Sequence, residues 1–219
     1  MLERADRILD AAGELLLRHG YRKVTVDDIA ARAEVGKGTV YLHWRTKNEL
    51  YEALMLRESI ELVEEWCAAM RRDPAHVRPH RFARLAFLSM CRRPLLQALL
   101  TTDLDLLGKL AHHPMRSHDL LAAERFFEVG EKYGLLRSDV PHLAHALSAA
   151  QMGFYVLDGA EAADSALDLD SRADALAFTV REAFEPAEQP SPEVLAAAAT
   201  EFITIFSALI PPYRQWIYG

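Results

Sequence analysis

An all-α fold is the class this chain predicts, on three observations. Apolar residues recur at helical spacing along most of its length, no run alternates apolar and polar residues for long, and no Asn-Gly hairpin dipeptide occurs. Prolines at 74, 79, 94, 114, 141, 186, 190 and 192 divide the chain into segments of helical length. With 219 residues, 51% of them hydrophobic and 26% charged, such a chain can bury a sizeable core without staples. Its two cysteines, Cys67 and Cys91, make neither a disulfide framework nor a Cys-rich zinc site, so a reduced, cytoplasmic setting is expected.

The first helix rests on Ile8, Leu9, Ala12, Leu15 and Leu16, and Gly20 stands just past it, where a left-handed cap is wanted. Thr25, followed by Asp28, reads as the N-cap of a second helix running to about Ala33. Glu34-Val35-Gly36 is a turn, and Lys37 to Trp44 resumes the helical pattern with Val40 and Tyr41 inward. Thr46-Lys47-Asn48-Glu49 is a capping box that opens a long fourth helix reaching about Arg72. Further helices are predicted over about 78–91, 94–111, 118–133, 139–158, 171–184 and 191–210. Ser138-Asp139 before Pro141, and Ser191 before Pro192, place an N-cap ahead of a first-turn proline. Residues 161–170 form an acidic link. The most apolar stretch, 194–210, contains Thr200, Glu201, Thr204 and Ser207 and falls short of the about 20 apolar residues that cross a bilayer, so no membrane partner is expected. The opening MLERADRILDAAGELL lacks the basic-then-apolar order of a signal peptide, and export is not expected.

A formal net charge of −7 argues against a nucleic-acid partner, because phosphate binding is dominated by Lys and Arg. The distribution of that charge points the other way. Residues 18–47 hold seven Lys and Arg against three Asp and Glu, a net +4, which leaves −11 for the rest of the chain. A small anion-binding module joined to an acidic domain of another kind is the economical reading. Within the basic segment, two short helices separated by a three- or four-residue turn form the arrangement by which a recognition helix enters the major groove. Ile29, Ala33, Val35 and Val40 supply the small core that sets the angle between them, and Lys37, Gly38, Thr39, Leu42 and His43 fall on the exposed face.

The run ILDAAGELLLRHGYRKVTVDDIAARAEVGKGTVYLHWRTKNELYEAL resembles the DNA-binding domain of the TetR family of bacterial transcriptional regulators. The likeness lies in Ile-Leu-x-Ala-Ala, Gly20-Tyr21 before Thr25, Asp28-Ile29-Ala30, the run from Val35 to Tyr41, Trp44, Lys47 and Glu49-Leu50, and it covers about a fifth of the chain. The resemblance implies a three-helix helix-turn-helix domain over 1–46 and a larger helical effector-binding and dimerisation domain over 47–219. It also implies a homodimer that sets its third helices in successive major grooves of a palindromic operator. Carried over by position, Thr25 and Tyr41 give hydroxyls to phosphates and Lys47 grips a phosphate at the start of the fourth helix. Lys37 reaches base edges, Gly38 lets the backbone come close, and Thr39 and His43 touch either bases or phosphates. Two positions depart from the family. Glu34 stands where glycine is usual, at a cost of about 1–2 kcal/mol if left-handed, and Leu42 can pack on a thymine methyl but donates no hydrogen bond.

The remaining residues yield candidates rather than motifs. Phe87, Met90, Asp103, Gln151, Met152 and Tyr155 are the candidate effector-binding residues, because Met and aromatic side chains with a few polar groups line adaptable pockets between helices. The apolar 191–210 helix, paired with 139–158 and their symmetry mates, is expected to make a four-helix dimer interface. His112, His113 and His118, with the pairs His76/His80 and His142/His145, have spacings a metal could use, but no Cys or carboxylate completes a ligand set. No nucleophile elbow and no phosphate-cradling glycine loop occurs, so neither an enzyme nor a bound cofactor is expected. The expectation is therefore a ligand-responsive repressor released from DNA by a small apolar or aromatic effector. The alternative is a helical homodimer whose helix-turn-helix serves protein contacts.

Overall fold

The computed structural model describes residues 2–96, 116–161 and 167–219, and among them the fold is all helix, with no strand. Four helices open the chain: α1 (Leu2–His19), α2 (Val26–Arg32), α3 (Lys37–His43) and α4 (Lys47–Arg72). A 3-10 turn, Pro74–Val77, leads into α5 (Pro79–Cys91). Then come α6 (Arg116–Lys132), α7 (Leu143–Glu161), α8 (Leu169–Phe184), α9 (Pro192–Ser207) and α10 (Ile210–Tyr218). Most of the helix expected over 94–111 lies outside the described residues, as do Asp103, His112 and His113.

Chain compactness defines two units. One holds the chain up to Glu61 together with Ile210–Gly219; the other holds Leu62–Arg92 and Ser117–Leu209. α4 is thus one continuous helix with residues in both. The first unit closes over Ile8, Leu9, Ala12, Ile29, Val40, Leu50, Tyr51 and Leu54, each at most 1% exposed. Full burial of the Val, Leu and Ile side chains among them is worth about 1.5–3 kcal/mol each, which is what short helices like α2 and α3 need in place of intrinsic stability. The second unit packs Ala83, Phe87 and Leu88 of α5, Leu147 of α7 and Leu176 and Val180 of α8 into one core.

Three boundaries depart from expectation for local reasons. The helix expected from 139 starts at Leu143, because the Asp139 carboxylate that was to cap it is held by the fork of Arg137 (2.9 and 2.7 Å). Pro141 then lies in the preceding turn, where His142 has a left-handed φ of 52°. The helix expected to begin at 171 begins at Leu169, capped by Asp168, which accepts from the Ser171 N–H at 2.7 Å. Finally, the stretch expected to end at 210 divides: α9 closes at Ser207 and α10 follows, with Pro211 and Pro212 in its first turn, where a missing N–H costs no hydrogen bond.

Candidate nucleic-acid interface

The turn between α2 and α3 is built by short-range chemistry. At the start of α2 the Asp28 N–H donates to Thr25 Oγ1 (3.2 Å), while the Thr25 N–H and hydroxyl donate to Asp28 Oδ2 (2.9 and 2.7 Å). Those donors hold the Asp28 carboxyl below its ordinary range. At the other end, the Val35 N–H donates to the Ala30 carbonyl (3.0 Å) and the Glu34 N–H to the Ala31 carbonyl (3.2 Å), the paired bonds of a Schellman motif. Glu34 takes the left-handed position, φ 55°. The comparable motif that ends α6 uses Gly134 there, φ 62°, so α2 accepts about 1–2 kcal/mol of backbone strain that α6 avoids.

α3 turns Val40 into the core (1% exposed), and its C-cap Trp44 is equally buried (3%). Of the small core expected between the helices, Ile29, Ala33 and Val40 are buried and Val35 is only half-buried. Lys37 and Gly38 are exposed, Thr39 and His43 lie at the margin of that face, and Leu42 is 85% exposed. Tyr41, expected to point inward with Val40, is 43% exposed: the face that buries Val40 and Trp44 leaves the residue between them outside. Thr25 is exposed, with its hydroxyl engaged in the cap. The structure therefore brings Lys37, Gly38, Tyr41 and Leu42 to the surface of one short helix.

Two lysines stand at its edges. Lys37 Nζ donates to Asp27 Oδ2 at 2.7 Å, with both side chains more than half exposed, and this bond and charge raise its pKa. An exposed pair of this kind is weak and exchanges readily for another anion. Lys47 Nζ donates to the Tyr21 carbonyl and lies 4.2 Å from the Tyr21 ring centroid. That explains a lysine at a helix start, where the dipole opposes it. The Tyr21 hydroxyl in turn donates to Asn48 Oδ1. Lys47 is half-buried at this junction.

Sequence reasoning does not single out Asp27 or Arg4. Asp27 lies ten positions from Lys37, with no motif to mark it. Arg4, exposed in the first turn of α1, is close enough to His43 for its charge, after burial, to hold that imidazole below its ordinary pKa.

Residues 8–54 match the model of the bacterial regulatory proteins of the tetR family. The chain carries the TetR-family DNA-binding segment. Among curated relatives, it is 34% identical over 61 residues to the HTH-type transcriptional regulator QacR of Staphylococcus aureus, which covers 28% of this chain and 32% of QacR. It is 28% identical over 127 residues to an Escherichia coli protein named as a probable acrEF/envCD operon repressor, covering 56% of this chain and 53% of that protein. The matches to the first three curated relatives span 32–47% of their length. Over most of the chain the fold matches the SmeT–triclosan complex, with a TM-score of 0.64 at 22% identity, covering 86% of this chain and 96% of that one. The all-α architecture, a helix-turn-helix followed by a helical domain, is therefore the TetR-family architecture.

The candidate effector residues are brought together only in part. Phe87 is fully buried and its ring centroid lies 5.4 Å from that of Tyr155, whose phenol burial pushes upward in pKa. Met90 and Gln151 are both half-buried. Met152 is 54% exposed and shares its outward face of α7 with Val156 (55%). Two cavities lie elsewhere in this unit, of about 590 and 660 Å³; both are lined by Leu136, Arg137 and Ser138, and among the described residues neither is lined by Phe87, Met90, Gln151, Met152 or Tyr155. Among the described residues no cluster of His, Cys, Asp and Glu is arranged to hold a metal ion.

Proposed function

We propose that this TetR-type regulator is a ligand-responsive repressor, acting as a homodimer on a palindromic operator and released by a small apolar or aromatic effector. The observation that carries the reading is the surface of α3: Lys37, Gly38, Tyr41 and Leu42 are exposed on a helix whose Val40 is locked into the core. A recognition helix needs that combination of free face and fixed back. In this reading residues 1–46 bind DNA together with Lys47 at the start of α4: Lys37 lies on base edges and Thr25, Tyr41 and Lys47 on phosphates, while Gly38, Thr39, Leu42 and His43 complete the contact surface. Residues 47–219 sense the effector and dimerise. The triclosan-bound SmeT structure supports a small-molecule effector for a fold of this kind.

The second unit supports the dimer through what it leaves uncovered. α7 exposes Met152, Val156 and Leu157, each more than half accessible. Along the apolar stretch Pro192–Tyr218, Val194, Leu195, Ile203 and Ile205 are only half-buried. By length and composition this stretch matches a membrane span, but Glu201, which accepts from the Tyr133 hydroxyl at 2.7 Å, and Thr200 and Thr204 suit a protein partner. The effector is assigned to the neighbourhood of Phe87, Met90, Gln151 and Tyr155. α4 carries the coupling, because it starts at Lys47 and runs unbroken to Arg72. An effector that prefers the DNA-incompetent state by about 1–3 kcal/mol would weaken operator binding about 5- to 150-fold.

The test is selection of fragments from a random DNA pool. Enrichment of an inverted repeat, with half-sites one helical turn apart or a multiple of it, supports the reading. A pool that stays random, with the protein a dimer by light scattering, would point instead to a helix-turn-helix used for protein contacts.

A further inference from the structure

α10 (Ile210–Tyr218) belongs to the same compact unit as the helix-turn-helix. It buries Tyr213 and Ile217, 3% and 2% exposed, and its Tyr218 hydroxyl donates to Asp6 Oδ1 on α1 at 2.6 Å. Asp6 is shared with α4. Arg57, whose side chain is 19% exposed, donates to the Asp6 carbonyl at 3.4 Å, stands 3.9 Å from the Asp6 carboxylate and pairs with Asp10 at 2.8 Å. One phenol, one carboxylate and one guanidinium thus tie three helices together. Burial and the Asp6 bond push the Tyr218 phenol to about 12, so it remains a donor at any physiological pH.

Asp6 lies two residues from Arg4, and Arg4 is the α1 charge felt by His43 at the end of the recognition helix. We infer that α10 is a positioning element for DNA binding: through Tyr218 and Asp6 it fixes the first turns of α1 against α4, and so fixes where Arg4 stands beside His43. This rests on the reading of α3 as the DNA-contacting helix. α10 follows α9 after only Ala208 and Leu209, so the apolar helix assigned above to the dimer is joined directly to the helix that holds α1. The operator-binding face is thus set by α10 as well as by α4.

Tyr218→Phe tests this, since it keeps the ring and removes only the donor; Arg57→Gln attacks the same carboxylate from α4. Four quantities are measured on the full chain: affinity for a fragment selected from the random pool, hydrogen exchange of the α1 amides, the His43 titration by NMR, and dimer mass. The expected result is a loss of operator affinity of about two- to tenfold for Tyr218→Phe, the worth of one hydrogen bond, and a loss at least as large for Arg57→Gln, which also gives up the pair with Asp10. It comes with faster exchange in the first turns of α1, a His43 midpoint moved back toward its ordinary value, and an unchanged dimer. Asp6→Ala combined with Tyr218→Phe is expected to be no worse than Asp6→Ala alone. Wild-type affinity together with an unmoved His43 titration in both variants overturns the inference. If the wild-type protein selects no DNA, the reading of α3 fails instead, and the His43 titration and α1 exchange still decide whether α10 holds α1.

Discussion

The helix-turn-helix and the α5–α8 region are both helical and each closes over a buried apolar core, yet they are held together over different distances along the chain. At the α2–α3 turn every determining bond is local: Thr25 to Asp28, Val35 to Ala30, Glu34 to Ala31. In the second unit the contact that matters most to the effector reading joins Phe87 to Tyr155, sixty-eight positions apart, and Met152, only three residues from Tyr155 on the same helix, is more than half exposed. The difference teaches where a site's geometry is encoded. Caps and turns write it within about five residues, while apolar packing writes it only once the whole domain has formed.

The contrast can be broken from the packed side first. Phe87→Ala, at a fully buried position, is expected to cost about 3–5 kcal/mol of stability, read as a loss in chemical denaturation. Because Phe87 lies in the second unit, any variant that stays folded should bind operator like the wild type and lose its response to effector. Loss of DNA affinity in a folded Phe87→Ala dimer would mean that the two regions are energetically coupled even without effector.

The lysine pair sharpens the comparison next. Lys37→Ala is expected to weaken the selected operator roughly 5- to 150-fold while leaving random DNA less affected. Lys47→Ala should weaken all DNA alike, lower the salt slope by about one unit per subunit and also lower the melting temperature, because it removes the grip on Tyr21. Equal losses on specific and random DNA in both variants would remove Lys37 from the bases.

A smaller effect is expected at the turn. Glu34→Gly relieves a left-handed glutamate and removes a negative charge beside the proposed phosphate contacts, so stability should rise by up to about 1 kcal/mol, the strain less the added freedom of the unfolded chain. Binding to all DNA should tighten. A melting temperature that falls would show that Glu34 does something its backbone angle does not reveal.

The smallest effect is a pH dependence. Burial and Arg4 hold His43 below the ordinary histidine value of 6.5 in the folded protein. Its contribution to stability is therefore complete above that value and declines as the pH falls below it, where the unfolded chain takes up the proton first. DNA phosphates favour the imidazolium, so operator binding takes up a proton and tightens as the pH falls from about 7 toward 6, by less than about tenfold per subunit. His43→Asn should flatten that pH profile.

What is legible in the sequence follows the same division. The Thr25 cap, Gly20, the left-handed Glu34 and the Ser191 cap are readable because each involves partners within four residues. Glu49 shows the limit: its N–H reaches Thr46 as a capping box requires, but its carboxylate accepts from the Arg45 N–H, one residue earlier than expected. Tyr41 lies outside rather than inward because helical spacing places a residue only to within about half a face, and its neighbours Val40 and Trp44 take the core. α10 is not legible as a helix because two adjacent prolines read as a stop unless they fall in a first turn. Arg4 and the Tyr218–Asp6 bond, spanning 212 positions, carry no local signature at all.

Whether the exposed face of α3 reads sequence decides the rest. The sharpest test is to titrate the wild-type protein, at two salt concentrations, against the fragment it selects and against a scrambled fragment of equal length and composition. The selected fragment is expected to bind at least about a thousandfold more tightly, with both affinities falling as salt rises. A ratio near one at both salt concentrations would contradict sequence reading by α3.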